Sequence, residues 1–146
     1  MRVLLDTNVV VSALLFGGEP RALLRALSAP PFELWASRPL LRELARALGH
    51  DKLQGPVSRS GFTVERLTQA YATRTFVVPD AALPEVDFPP DPNDAVVIAT
   101  ARAAAADWLV TGDHHLLGHR ETIPCDVLTI RDALARADAV RAGDRH

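Results

Sequence analysis

Cysteine and lysine each occur once in 146 residues, as Cys125 and Lys52, and each scarcity closes a route. A lone thiol forms neither an intramolecular disulfide nor a cysteine-rich zinc site, which fits a reducing compartment. A phosphoreceiver signalling domain needs a lysine on its last strand, and Lys52 lies in the first half of the chain. No stretch approaches about 18 apolar residues without a charge or a helix breaker, so no membrane span is expected. The N-terminus has Arg2 and a short apolar run, but Asp6 and Asn8 interrupt what would be the apolar core of a signal peptide. The expected location is therefore the cytoplasm. There is no internal repeat and no low-complexity tract beyond the alanine run at 103–106. A hydrophobic content of 48% excludes a mostly disordered chain. The expectation is one domain over residues 1–140 with a frayed tail at 141–146.

The net charge of −2 gives no global pull on nucleic acid, yet the halves differ. Residues 1–75 hold ten Lys/Arg against six Asp/Glu, and residues 76–146 hold six against twelve. That asymmetry allows a carboxylate cluster beside a basic rim, although scattered surface charge gives the same count.

Residues 2–5 read as a short buried strand delivering Asp6, Thr7 and Asn8 to its carboxyl end, with Asn8 capping a helix over 9–15. A break at 16–20 places Pro20 in the first turn of a second helix, which 29–31 ends. Residues 32–36 read as the second strand and Ser37 as the cap of an amphipathic helix over 38–48. Leu40, Leu41, Leu44 and Leu48 form its apolar arc, Glu43 lies at the margin, and Arg42 and Arg46 lie opposite. The polar stretch 49–61 reads as a mobile loop or lid. A helix over 63–73, a strand over 75–78 and an extended, proline-rich acidic connection over 80–92 follow. Asp91 caps and Pro92 opens a helix to 106 that is apolar on nearly every face, which predicts burial. Residues 107–110 read as a fourth strand leaving through Thr111, Gly112 and Asp113, a near repeat of the arrangement at Asp6. A strand near 127–128 and a helix over 130–140 finish the order. Alternating strands and helices predict an α/β fold, a three-layer α/β/α sandwich with a mostly parallel central sheet.

Such a sheet gathers its chemistry outside the carboxyl ends of its strands. Asp6 and Asp113 leave strand ends directly, Asp94 lies in the first turn of a helix starting at that edge, and Glu43 sits a turn and a half into another. Singly, each has a plainer role: Asp6 as a strand terminator, Asp94 as a complement to the helix dipole, Glu43 as a solvated charge, Asp113 as a helix cap. Together they cost free energy, since two carboxylates about 4 Å apart repel by roughly 1 kcal/mol in water and about 4 kcal/mol near a protein surface. A hard divalent cation resolves the conflict, and oxygen-only ligation favours Mg²⁺ or Mn²⁺. Such an ion in an acidic crevice with an arginine rim, for which Arg42 and Arg46 are candidates, suits phosphodiester hydrolysis.

With those residues placed, the sequence resembles the PIN-domain family of metal-dependent ribonucleases, in particular the VapC-like bacterial branch of toxin components in toxin–antitoxin pairs. The likeness runs over essentially the whole chain. It is carried by Leu5-Asp6-Thr7-Asn8-Val9 with Ser12-Ala13-Leu14-Leu15, by Leu41-Arg42-Glu43-Leu44, by Asp91-Pro92-Asn93-Asp94 with the apolar helix after it, and by Val110-Thr111-Gly112-Asp113 with Leu116-Leu117. The resemblance implies a PIN-like fold in which Asp6, Glu43, Asp94 and Asp113 bind one or two Mg²⁺ or Mn²⁺ ions that activate water to cut single-stranded RNA. It implies that Thr7, Asn8 and Thr111 position waters or a carboxylate and that Asp91 assists from behind them. It also implies a small antitoxin partner and a homodimer or higher homo-oligomer. One departure is His115, where many relatives carry a further acid. His114 and His115 could touch phosphate, or simply occupy an exposed turn. Two other classes compete. A haloacid-dehalogenase-like phosphatase would want an acid where Asn8 stands, and a catalytically inactive PIN-like scaffold would bind RNA or protein without cutting.

Overall fold

The computed structural model describes residues 1–86, 92–118 and 120–144. Among these residues five strands, β1 (Arg2–Leu5), β2 (Glu33–Ser37), β3 (Thr75–Val78), β4 (Trp108–Val110) and β5 (Asp126–Leu128), form one sheet in the order β3-β2-β1-β4-β5. Every pairing is parallel, with Val3 opposite Leu34 on one side of β1 and Leu4 opposite Leu109 on the other. The chain runs outward from β1 to β3 and then returns to the opposite flank at β4. β1 and β4 therefore straddle the topological switch point, where a parallel sheet opens a crevice beyond its strand ends.

Strands covered on both faces are apolar along their covered length, as β1 is from Val3 to Leu5 and β4 throughout. Val3, Leu5, Trp108 and Val110 join one buried cluster with Val9, Val10, Leu23, Leu27 and Ala133. That cluster packs helices α1 (Thr7–Leu15), α2 (Gly18–Leu27) and α8 (Ile130–Asp144) on the sheet. Leu4 and Leu109 face the other way, into a cluster with Val97, Ile98, Ala101 and Leu116 from α6 (Pro92–Ala103) and α7 (His114–Gly118). These are the outer layers of the expected three-layer sandwich. The turn from α1 to α2 passes through Gly17 and Gly18, whose φ of 74° and 64° lie where a Cβ is strained.

Helix α3 (Arg38–Leu48) has the expected bounds. Ser37 caps it by accepting from the Leu40 N–H, and its hydroxyl also bonds the Thr100 hydroxyl of α6 at 2.8 Å, tying the edge of β2 to that helix. Elsewhere local reading is corrected. Residues 49–61 are not a lid but a 3₁₀ turn over Asp51–Leu53 and a helix, α4 (Gln54–Ser60), closed by Gly61 at φ 79°. Pro56 falls in the first turn of α4, where its missing N–H costs nothing, and Leu53 and Val57 pack on the core. α5 (Val64–Ala72) follows, capped by the Thr63 hydroxyl. α6 stops at Ala103 rather than 106, because Ala105 turns left-handed at φ 50°. The expected frayed tail is helical to Asp144, and the Arg141 guanidinium donates to the Ala26 carbonyl at 2.6 Å. The connection 80–92 opens with a 3₁₀ turn over Asp80–Ala82, and its remainder beyond 86 lies outside the described residues up to Pro92. Among the described residues no helix is long and apolar enough to cross a membrane.

Tyr71 is buried on α5, its hydroxyl has no hydrogen-bond partner among the described residues, and burial pushes its pKa well above the ordinary phenol range. An orphaned buried hydroxyl carries a desolvation cost of about 1–3 kcal/mol. Tyr71→Phe is therefore expected to raise stability by about 1 kcal/mol in urea unfolding. A loss of that size instead would show that the hydroxyl has a bound partner.

Candidate active site

At the carboxyl end of β1 the backbone ladder continues one rung further: the Asp6 N–H donates to the Val110 carbonyl at 2.9 Å, and the Thr111 N–H to Leu128 at 3.0 Å. Asp6 and Thr111 are thereby set side by side across the switch point. Asp6, not Asn8, caps α1. Its Oδ1 accepts from the Thr7 N–H at 2.8 Å, while its backbone carbonyl takes the Val9 and Val10 amides. Asn8 is exposed in the first turn of α1.

From Asp6 a chain of hydrogen bonds crosses the crevice. The buried Thr111 hydroxyl donates to Asp6 Oδ2 at 2.8 Å and accepts from the Asp113 N–H at 3.0 Å. Asp113 Oδ1 accepts from the His115 N–H at 2.8 Å, and the His115 ring Nδ1 lies 2.9 Å from Asp94 Oδ2. Three of the four expected acids are joined in this way through one threonine and one histidine. Asp94 opens α6, where the dipole favours an anion, and is only 5% exposed. Glu43 is half-buried on α3 between Leu40 and Leu44, on a helix that packs against both α1 and α6. Arg42 and Arg46 are exposed on that helix. Asp91 lies outside the described residues.

Electrostatics mark Asp6 out. It is 8% exposed, and its pKa is raised first by desolvation, then by the charges of Asp113 and Asp94, against the opposing bonds from Thr111 and Thr7. A carboxylate held ionised in that position is destabilised by its own surroundings. Among the described residues no three His, Cys, Asp or Glu side chains stand together as a ready-made metal cage. The donor set nonetheless suits a hard cation: the acids supply oxygens only, and a positive charge among them relieves the penalty on Asp6. Thiolate chemistry has no place here. Cys125 lies beside β5, and burial, followed by the charges of Asp126 and Asp107, pushes its thiol up to about 11. β5 carries no lysine, so the phosphoreceiver alternative fails on structure as it did on sequence.

Sequence reasoning missed the contact between His115 and Asp94, having weighed His115 only as a phosphate contact or an idle turn residue. The available signal was its position two residues after Asp113, where its ring faces back toward the other acids. It also missed Thr100, whose hydroxyl points inward from a helix turn that reads as purely apolar.

The chain matches the family model for the PIN domain over residues 2–115. No curated protein matches it in sequence. It is similar to the structure of VapBC2 from Rickettsia felis bound to a DNA fragment from their promoter, at 17% identity over 88% of this chain and 98% of that one, with a TM-score of 0.60. It is also similar to VapBC-1 from nontypeable Haemophilus influenzae, at 18% identity over 90% and 99% of the two chains, with a TM-score of 0.55. Such low identities speak for the fold. The family match spans most of the sequence and takes in Asp6, Glu43, Asp94 and Asp113, and on that ground the chain belongs to the PIN-domain family.

Proposed function

We propose that this PIN domain is a metal-dependent ribonuclease that hydrolyses single-stranded RNA in the cytoplasm, as the toxin of a toxin–antitoxin pair. The observation that carries the reading is the buried Asp6 carboxyl, raised in pKa beside two further aspartates at the switch point of the sheet. Asp6, Asp94 and Asp113, with Glu43 from α3, would hold Mg²⁺ or Mn²⁺. The bound ion supplies an acidified water and positive charge for the phosphate. The protein's own groups do the positioning. Thr7 and Thr111 fix both oxygens of Asp6, Thr111 fixes the loop bearing Asp113, and His115 orients Asp94. Asn8 in the first turn of α1, and Arg42 and Arg46 on α3, are exposed and would meet the RNA strand. Asp91 would assist from behind the acids. Both structural relatives are VapBC proteins, which supports a small antitoxin partner. A homodimer or higher homo-oligomer belongs to the same reading.

The direct test is cleavage of an end-labelled single-stranded RNA by the purified protein, freed of any co-purifying partner. Cleavage is expected with Mn²⁺ or Mg²⁺ and none in EDTA. Intact RNA at every metal concentration overturns the reading in favour of a non-cutting scaffold.

A further inference from the structure

Away from the catalytic edge, a groove of about 980 Å³ opens where the far end of α1 meets α2, α4 and α5. Leu15, Leu24 and Leu67 contribute to its lining, as do five arginines, Arg21, Arg25, Arg59, Arg66 and Arg74, and among the described residues no carboxylate does. Arg21 is half-buried and closes α1 by donating to the Ala13 and Leu14 carbonyls at 3.1 and 3.3 Å. The other four are exposed, and among the described residues none of the five takes part in an ion pair. Like charges facing one groove repel, so the groove selects a ligand bearing negative charge in series. Two phenylalanines complete it: Phe16 follows α1, Phe62 follows α4, and each is 59% exposed. Guanidiniums along a groove with free aromatic faces beside them are the elements that hold an unpaired nucleic acid strand, phosphates on the arginines and bases on the rings.

We propose that this groove is a second RNA-binding site, a track for single-stranded RNA distinct from the acidic crevice. The identity of its ligand rests on the ribonuclease reading. α1 links the two places, with Thr7 beside Asp6 and Leu15 at the groove, a path of about 13 Å along nine residues. A strand of several nucleotides spans it, so RNA is gripped at the groove while its scissile phosphate lies at the aspartates.

The test is fluorescence anisotropy with a labelled twelve-residue oligouridylate in EDTA, where binding is read without cleavage. The full chain is expected to bind with a steep salt dependence. Arg25→Ala/Arg59→Ala/Arg66→Ala should bind at least about tenfold more weakly, with the slope of log K against log salt reduced by about 2, near 0.7 for each phosphate no longer neutralised. Replacing the same three by Lys should restore the slope. Phe16→Ala and Phe62→Ala should each weaken binding about fivefold or more with the slope unchanged. Unaltered affinity and slope in the triple alanine variant overturn the proposal. Failure to bind the oligonucleotide, combined with groove-dependent binding of a synthetic acidic amphipathic peptide, overturns it too and gives the groove to a protein. Cleavage with Mn²⁺ separates the two readings. A protein that cuts RNA with no dependence on the groove loses only this inference, and one that binds RNA through the groove but never cuts loses only the nuclease.

Discussion

Asp6→Asn is expected to lower RNA cleavage by at least about 100-fold while raising the melting temperature of the metal-free protein at neutral pH. The first effect follows from the place of Asp6 among the proposed ligands, because even residues that merely support a ligand typically cost 10- to 100-fold when removed, so roughly 100-fold is a lower bound. The second follows from desolvation. Burial and two neighbouring charges oppose ionisation of the wild-type carboxyl, and the amide removes that charge while keeping the shape. The Thr7 N–H still finds an acceptor, and the Thr111 hydroxyl has lone pairs for both the new amide and the Asp113 N–H. The pH dependence has a definite sign. A carboxyl whose folded pKa is raised stabilises the fold only when protonated, and that contribution is lost as pH rises through the folded value. The melting-temperature advantage of Asp6→Asn should thus be widest at neutral pH and shrink as the solution is acidified. A variant that melts lower than wild type at pH 7, or that still cleaves when rigorously purified, contradicts this role for Asp6.

Mn²⁺ should stabilise the wild-type protein strongly. At a hundred times its dissociation constant a ligand specific for the folded state adds about 2.7 kcal/mol. For a domain of this length that corresponds to an upward shift on the order of 10 °C. The shift should vanish in Asp6→Asn and in Asp94→Asn, and should weaken in acid, where the ligands must lose protons before they bind. EDTA should return the metal-loaded protein to its starting curve. A flat titration with wild-type protein removes the ion from the proposed chemistry, whatever the cleavage assay shows.

What could be read in advance was what short-range chemistry determines. Strand β3 and helix α3 fell on their expected residues because each has its own signals: β-branched and aromatic residues stopped by Pro79, and a Ser37 cap before an apolar arc. Helix α4 was misread because Gly55, Pro56 and the serines argue locally against a helix, while its support comes from the packing of Leu53 and Val57 on distant partners. The last turns of α8 are supported by a bond from Arg141 to a carbonyl 115 residues away, which no local signal reports. In the site, the aspartates were legible because each sits at a strand end or in a first helical turn. The histidine that touches Asp94 was not, since the contact exists only once α6 and α7 share an edge. The arginine groove was equally invisible, its five members being scattered over more than fifty positions.

The extra rung of ladder beyond β1 and β4 ties the proposed site to the most deeply buried part of the sheet. Asp6 and Thr111 inherit the separation of two neighbouring parallel strands, about 4.8 Å, which the buried Leu4 and Leu109 hold in register beneath them. Inserting one residue into β1 would turn Asp6 to the opposite face and destroy the pair. Exchanging the outlying helices and turns would leave it where it is. A site anchored in this way tolerates a rewritten periphery, so new partners can be acquired while the Asp6–Thr111 pair stays fixed.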